Sequence, residues 1–187
     1  MFTAIVIFLC GLLLYLLGVS KEPSITCKYS TRKLQLPQAP ANLPPELKNS
    51  NDISQITNSI WISNVTTSYN YPLLKSLGIK QILTIGKELR KHDTNQFTTK
   101  YISLDDVPNE NISQHFDDTY KFIDAGPTLV HCAMGKSRSV TIVLAYLMRK
   151  RKLSLKDALR LVYKKRPIIS PNMGFLKQLS DYEKTLS

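Results

Sequence analysis

The sequence has few cysteines, few glycines and few acidic residues, and each shortage excludes a class of protein. Three cysteines among 187 residues cannot build a dense disulfide framework. Seven glycines and ten prolines, without a repeating triplet, exclude collagen-like and Gly/Pro low-complexity chains. Because 14 Asp and Glu stand against 25 Lys and Arg, the formal net charge is +11. That charge favours an anionic partner, such as a phosphorylated substrate, nucleic acid or an acidic membrane surface.

The chain nevertheless has enough apolar material for one core. Hydrophobic residues make up 43% of it, which excludes a wholly disordered protein, and 187 residues suit one ordinary domain with a shorter segment attached. The basic runs at 149–152 and 164–166 are typical of a solvated surface, or of a face against anionic lipid headgroups. No nucleic-acid partner is predicted, because no recognition motif accompanies the charge.

The longest uncharged apolar run lies at the N-terminus, over residues 3–19. At about 1.5 Å per residue, a helix of this length reaches roughly 25 Å, the lower limit for crossing a bilayer. A cleaved secretory signal is the alternative, because Gly18 and Ser20 are small and suitably spaced, although no basic residue precedes the run. We predict one N-terminal transmembrane helix that anchors the protein to a membrane.

The flanking charges predict the orientation of that anchor. Four basic residues follow the run closely and none precedes it, so the remainder is expected on the cytosolic side of a single-pass membrane protein. They are Lys21, Lys28, Arg32 and Lys33. Residues 20–54 hold five of the ten prolines and predict an extended linker. The folded catalytic domain is therefore predicted over residues 55–187.

Within that domain, short runs rich in Ile and Val alternate with helical periods. Strand-length runs occur at 59–62, 79–85, 101–104 and 128–130. Helical periods occur at 71–77, 112–124, 139–150 and 154–166, and a last one opens at Pro171-Asn172. Strands that alternate with helices predict an α/β domain, with a central, mostly parallel sheet flanked by helices.

One segment of the domain has a distinctive chemistry. A strand-length run ends at His131, and Cys132, a five-residue loop, Arg138 and a long apolar helix follow. The loop residues are Ala133, Met134, Gly135, Lys136 and Ser137. Their backbone N–H groups can point at one centre, and the N-terminus of the next helix points there too. Arg138 can hold two phosphate oxygens at once, and a thiolate at Cys132 would be a nucleophile aimed at phosphorus.

The pattern His131-Cys132-x5-Arg138-Ser139 resembles the active-site loop of the cysteine-dependent protein tyrosine phosphatases. The stretch from about residue 60 to 186 resembles their dual-specificity branch. The segment 102–106 is similar to the family's general-acid loop, and 166–179 resembles its closing helix motif. The resemblance implies hydrolysis of phosphotyrosine and phosphoserine or phosphothreonine on proteins through a phosphocysteine intermediate, without a metal or organic cofactor.

The resemblance also implies a role for individual residues. Cys132 is the nucleophile, Arg138 clamps the phosphate, and Asp106 protonates the leaving oxygen and then activates water. Asp105 is the alternative acid, because neighbours on an extended segment point to opposite sides and only one of them can face the loop. Ser139 would hydrogen-bond the sulfur, and His131 would support the thiolate indirectly.

Two loop residues depart from the family pattern. Met134 stands where an alanine is usual, and Lys136 replaces an aliphatic residue that is more typical of the protein-directed members. A basic residue at this position occurs in relatives that act on inositol lipids or phosphatidylglycerophosphate. A membrane-associated phospholipid phosphatase is therefore an alternative, and a catalytically silent phosphate-binding module is another.

The sequence predicts no metal site. His131 and Cys132 are adjacent, while Cys10 and Cys27 fall in the apolar run and the linker, so no ligand spacing emerges. His92 and His115 are predicted to lie on the surface. The sequence leaves the oligomeric state open.

Overall fold

The computed structural model of the protein describes residues 52–92 and 94–186. The predicted anchor over residues 3–19, and all but the end of the predicted linker over residues 20–54, lie outside the described residues. Within the described ranges, no helix combines the length and the apolar character that a bilayer span requires.

Five strands form one mixed sheet in the order β1-β2-β5-β3-β4. Their bounds are β1 Ile53–Thr57, β2 Ile60–Ser63, β3 Gln81–Ile85, β4 Thr98–Ile102 and β5 Thr128–His131. β1 pairs antiparallel with β2, and the other pairings (β2 with β5, β5 with β3, β3 with β4) are parallel. The predicted α/β fold with a mostly parallel sheet is confirmed. β1 begins two residues before the predicted start of the domain, and its few apolar residues give only a weak strand pattern.

Six α-helices accompany the sheet in the part of the chain that the structure describes. They are α1 Val65–Ser68, α2 Tyr71–Ser76, α3 Phe116–Asp124, α4 Arg138–Arg151, α5 Leu155–Lys165 and α6 Met173–Leu186, and a 3-10 turn at Ser113–His115 leads into α3. The Ser154 hydroxyl accepts the Asp157 N–H at 3.1 Å and caps α5. Asn172 accepts the Phe175 N–H at 3.0 Å and opens α6.

The two faces of the sheet bury different amounts of apolar surface. Alternate strand residues such as Ile62, Leu83 and Val130 face a large core that they share with α3, α4, α5 and α6. Their neighbours Ile82 and Leu129 face a smaller cluster on the side of α2. Every residue of α4 from Arg138 to Met148 is buried, so this helix lies at the centre of the large core.

This topology fixes the position of the loop between β5 and α4. β5 lies between β2 and β3 and is parallel to both, so its carboxyl end opens at the centre of the sheet edge. Crevices outside the carboxyl ends of parallel strands are where ligands bind in α/β folds. The predicted phosphate loop therefore lies in the crevice where this fold class places its ligands.

Candidate active site

The loop between β5 and α4 is held from outside through four consecutive carbonyl groups. The Ala133 oxygen accepts the Val65 N–H at 3.1 Å, and the Lys136 oxygen accepts the Ser170 N–H at 2.8 Å. Between them, the Met134 and Gly135 oxygens accept from the Arg166 guanidinium at 3.3 and 2.7 Å. Because successive carbonyls point outward, the N–H groups of the loop point inward, as in an anion-binding nest.

The inward N–H groups of the loop have no acceptor within residues 52–92 and 94–186. Among the described residues, no hydrogen bond is donated by the backbone N–H of residues 133–137. Buried or half-buried N–H groups normally find a partner, and a set without one that converges on a single point is suited to an oxyanion. The loop conformation requires Gly135, whose φ is +63° and whose added Cβ would lie 2.4 Å from the Ser63 carbonyl oxygen.

Cys132 lies at the floor of this loop with a hydroxyl beside it. Its side chain is a free thiol that is only 2% exposed. The Sγ atom of Cys132 lies 3.3 Å from the Oγ atom of Ser139, in the first turn of α4. The structure therefore brings together the sulfur and the hydroxyl that the sequence pairs.

Arg138 uses one edge of its guanidinium for a protein partner. Its Nη1 and Nη2 atoms donate to the two carboxylate oxygens of Glu88 at 2.8 and 2.6 Å, and Nη1 also donates to the Leu104 carbonyl at 3.1 Å. The Nε atom is buried and has no hydrogen-bond partner in the part of the chain that the structure describes. Of five N–H donors, the two that remain are on Nε and Nη2, which share the other edge. That edge can hold two oxygens of a phosphate.

The charges around Arg138 keep it ionised. Burial opposes its charge, but the hydrogen bonds to Glu88 and the negative charges of Cys132, Glu88 and Asp106 raise the pKa of Arg138 above its ordinary value. Burial likewise opposes ionisation of Glu88, yet the bonds from Arg138 lower the pKa of Glu88. Sequence reasoning missed Glu88, although its place just after β3, beside the end of β5, is a signal that could have found it.

Asp106, and not Asp105, faces the loop. One carboxylate oxygen of Asp106 accepts from the Ser137 hydroxyl at 2.7 Å and from the Asn172 amide at 2.9 Å. Its other oxygen lies 3.6 Å from the Arg138 Nε atom. Asp105 points instead to Lys87, at 3.4 Å, in a pair that is largely exposed. The geometry therefore favours Asp106 over Asp105.

Behind the nucleophile position lies a chain of uncharged side chains. His131 is fully buried, and its Nε2 atom lies 2.8 Å from the Thr84 hydroxyl and 3.1 Å from the His92 Nε2 atom. The His92 Nδ1 atom lies 3.0 Å from the Tyr71 hydroxyl. Burial, helped by the neighbouring His92, lowers the pKa of His131 to about 3, and burial lowers that of His92 to about 4. Both rings are therefore neutral at physiological pH.

The prediction that His92 lies on the surface is wrong. The side chain is 6% exposed, because the ring of Tyr69 stacks on it with centroids 4.3 Å apart and His131 lies behind it. His131 follows His92 by 39 residues, so no local pattern reports their contact. His115 is half-buried.

A second buried arginine, Arg166, closes the back of the loop. Besides its bonds to the loop carbonyls, Arg166 donates to both carboxylate oxygens of Asp52 at 2.8 and 3.1 Å, and to the Ser54 hydroxyl at 3.2 Å. The Arg166 side chain is 2% exposed. It links the first described residue of the chain to the carbonyls that set the loop conformation.

Two other loop side chains differ in exposure. Met134 is 54% exposed, and Lys136 is half-buried with no ion-pair partner among the described residues. Within the same described ranges, no group of three or more His, Cys, Asp or Glu side chains is arranged to hold a metal ion.

Comparisons with known proteins agree with this geometry. A family model for the dual specificity phosphatase catalytic domain matches residues 60–185. Dual specificity protein phosphatase 1 of Arabidopsis thaliana is 41% identical over 138 residues, which cover 71% of this chain and 70% of that protein. Dual specificity protein phosphatase 14 of Mus musculus is 38% identical over 139 residues, 72% of this chain and 70% of that protein.

A solved structure shows the same architecture. The crystal structure of the human tyrosine phosphatase-like serine/threonine/tyrosine-interacting protein matches with a TM-score of 0.68 and 30% identity, over 71% of this chain and 96% of that one. The matched family model spans the loop between β5 and α4, the Asp106 segment and α6. The chain therefore belongs to the dual specificity phosphatase family.

Proposed function

We propose that this protein hydrolyses phosphotyrosine and phosphoserine or phosphothreonine on other proteins, through a phosphocysteine intermediate. The observation that carries the proposal is the set of unpaired donors around Cys132. The N–H groups of residues 133–137 and the Nε edge of Arg138 donate to nothing in the described protein. Donors held in place before the reaction stabilise charge that develops on phosphoryl oxygens, because they need no rearrangement.

In the first step, the thiolate of Cys132 attacks phosphorus as the bond from phosphorus to the Tyr, Ser or Thr oxygen breaks. Asp106 in its acid form gives its proton to that departing oxygen. The two hydrogen bonds to one Asp106 oxygen, from Ser137 and Asn172, leave the other oxygen to carry the proton on the side of Arg138. General acid catalysis of this kind contributes about 10²–10⁴ in rate.

In the second step, water attacks phosphorus and the sulfur–phosphorus bond breaks. The carboxylate of Asp106 takes a proton from that water. Inorganic phosphate leaves, and the thiolate of Cys132 is regenerated. The Ser139 hydroxyl, 3.3 Å from the sulfur, donates to the departing thiolate. Asp106 then carries the proton that the next turnover needs.

The proposal is tested with the full-length protein in detergent and two phosphopeptides of one sequence, which carry phosphotyrosine or phosphothreonine. We expect release of inorganic phosphate from both peptides and none from the Cys132→Ser variant. Cys27→Ser, which changes a thiol outside the loop, is the matched control and keeps the wild-type rate. Turnover retained by Cys132→Ser would exclude the phosphocysteine mechanism. Phosphopeptide binding by the wild type without phosphate release would favour the catalytically silent module.

The half-buried Lys136 on the loop supports a second candidate, an anionic phospholipid substrate. A lysine beside the phosphate position can add attraction to a headgroup that carries more than one negative charge. The same release assay with vesicles that contain a phosphoinositide or phosphatidylglycerophosphate compares the candidates. A kcat/KM on vesicles that exceeds both peptide values would replace the protein substrate with the lipid.

We also propose that residues 3–19 anchor the protein in a membrane with the phosphatase domain in the cytosol. The support is the uncharged apolar run and the basic residues that follow it, as the positive-inside bias requires. Protease added to sealed vesicles is expected to digest the domain when the cytosolic side faces out. A domain that is protected until detergent is added would reverse the orientation, and a protein released by carbonate washing would exclude the anchor.

A further inference from the structure

Four large apolar side chains that take no part in the proposed chemistry are exposed beside the phosphate loop. Val107 is 45% exposed, Met134 54%, Ile168 44% and Met173 41%. In the described part of the chain, Tyr69 is the one other large apolar side chain with comparable exposure. We call Val107, Met134, Ile168 and Met173 the apolar rim.

Hydrogen bonds tie each segment of the apolar rim to the site. Met134 is part of the loop, and Val107 directly follows Asp106, whose carboxylate accepts from Ser137. Ile168 lies two residues before Ser170, whose N–H donates to the Lys136 carbonyl at 2.8 Å.

Met173 follows Asn172, whose amide donates to Asp106 at 2.9 Å. The start of α6 also lies tightly against the segment after Asp106, because a Cβ added to Gly174 would lie 1.8 Å from the Pro108 carbonyl oxygen. The rim residues therefore share one end of the molecule with Cys132, on three different segments.

Packing of the domain does not explain this exposure. Ile169, next to Ile168, and Phe175, two residues after Met173, are 3% and 0% exposed and fill the core instead. Several exposed large apolar side chains on the segments that form one site suggest a surface where another molecule binds. The same segments form a site whose N–H donors are suited to an anion.

We infer that the apolar rim docks an extended segment of a phosphoprotein, with large apolar side chains next to the phosphorylated residue. This inference rests on the proposed function and names its substrate class. The loop N–H groups and Arg138 bind the dianionic phosphate by charge. Neighbouring side chains of an extended segment follow at about 3.3–3.6 Å per residue, so they reach the rim around the loop. Removal of one such side chain from water is worth about tenfold or more in affinity.

The inference is tested with two phosphopeptides that differ at the residues on both sides of one phosphotyrosine, which are Leu in one and Ser in the other. We expect the wild-type full-length protein to favour the Leu peptide by about tenfold or more in kcat/KM. In the double variant Ile168→Ser with Met173→Ser, the ratio falls toward one, while turnover of a small aryl phosphate stays within about twofold. The double variant Ile168→Leu with Met173→Leu is the matched control and keeps the wild-type ratio.

The binding preference is also measured without turnover, as the affinity of Cys132→Ser for the same two peptides. Equal values for the Leu and Ser peptides, or a preference that survives the double Ser variant, would overturn the inference. So would a double Ser variant that loses turnover on phosphoinositide vesicles but keeps its peptide preference, because the rim would then contact lipid. If the wild type does not hydrolyse the aryl phosphate, the proposed function is contradicted instead. The affinities of Cys132→Ser for the Leu and Ser peptides then still show whether the apolar rim binds apolar side chains.

Discussion

Two buried arginines hold opposite sides of the loop between β5 and α4, and they differ in how their N–H groups are used. Arg166 makes five hydrogen bonds, to the Met134 and Gly135 carbonyls, the Asp52 carboxylate and the Ser54 hydroxyl. An arginine has five donors, so those of Arg166 are all satisfied by the protein. Arg138 uses three donors on Glu88 and Leu104, and within the described residues its Nε makes no hydrogen bond and has only the Asp106 carboxylate nearby, at 3.6 Å.

This difference in donor use separates a structural arginine, Arg166, from a phosphate-binding one, Arg138. A buried polar group without a partner costs folding free energy, about 1–3 kcal/mol for a typical group. Arg166 avoids that cost and fixes the loop, while the Arg138 Nε, beside Cys132 and the inward N–H groups, makes no hydrogen bond and is compensated only by the Asp106 charge at 3.6 Å. A residue that lowers stability in the free protein, and gains its partner from a substrate, is what a phosphate-binding site requires.

Asp106→Asn changes the group that acts beside the unpaired edge of Arg138. We expect kcat on a phosphothreonine peptide to fall by about 10²–10⁴, because the poor leaving oxygen loses its proton donor. On an aryl phosphate with a good leaving group the loss should be much smaller. Asp105→Asn, which changes the exposed partner of Lys87, is the control and keeps its rate on both substrates. Equal losses from the two Asn variants would contradict the assignment.

Arg138→Lys removes the planar fork and keeps the charge. We expect kcat/KM for the aryl phosphate to fall by about 10²–10³, since a lysine cannot replace the paired donors on one edge. The midpoint of urea unfolding should move little compared with that of an Arg166 variant. If Arg138→Lys unfolds the protein while the activity per folded molecule stays normal, Arg138 has the structural role and not the phosphate-binding role.

Arg166→Met is expected to act mainly on stability. The substitution leaves the Asp52 carboxylate and two loop carbonyls without their donor. Because Asp52 remains about one-third exposed, the loss in the free energy of unfolding should be about 2–3 kcal/mol, below that of a fully buried pair. Asp52→Asn, which keeps an acceptor for Arg166, should cost less. Urea unfolding at one pH measures both, and an unchanged midpoint for Arg166→Met would contradict the structural role.

His92→Gln should give the smallest effect, a change in the pH dependence of stability. Burial holds the pKa of His92 at about 4, below its ordinary 6.5, so the unfolded chain binds a proton that the folded protein does not. This contribution is complete above pH 6.5 and is lost as the pH falls towards 4. The variant should flatten part of the fall in unfolding free energy across that range, because His131, His115 and carboxylates with lowered pKa values such as Glu88 and Asp181 contribute the rest. An unchanged slope of unfolding free energy against pH would mean that His92 binds its proton in the folded protein as readily as in the unfolded chain.

The sequence predicts the loop well because its determinants are contiguous. A strand that ends at His131, the glycine at position 135 and the apolar helix after Arg138 all lie within one short segment. The strand order and the choice between Asp105 and Asp106 needed the structure, because they depend on which segments pack together. For the same reason, the pairing of Arg138 with Glu88, 50 residues earlier, follows from the shared sheet edge at the ends of β3 and β5 and from no pattern within one segment.

The partners of Arg166 also could not be predicted from the local sequence. The residue belongs to a motif that resembles the family's closing helix, yet its partners lie 31 residues away in the loop and 114 residues away at Asp52. The burial of His92 depends on two tyrosines that fold over it from α2 and the turn before it. Contacts of this kind follow from the tertiary packing of the sheet and are not encoded in any one segment.

The most direct test of the account is a crystal structure of the Cys132→Ser variant with a bound phosphotyrosine peptide. We expect phosphate oxygens within hydrogen-bond distance of the N–H groups of residues 133–137 and of the Nε and Nη2 atoms of Arg138. Glu88 should stay paired with the other edge of the guanidinium. A phosphate bound elsewhere, or an Arg138 whose Nε remains without a partner in the complex, would contradict the account.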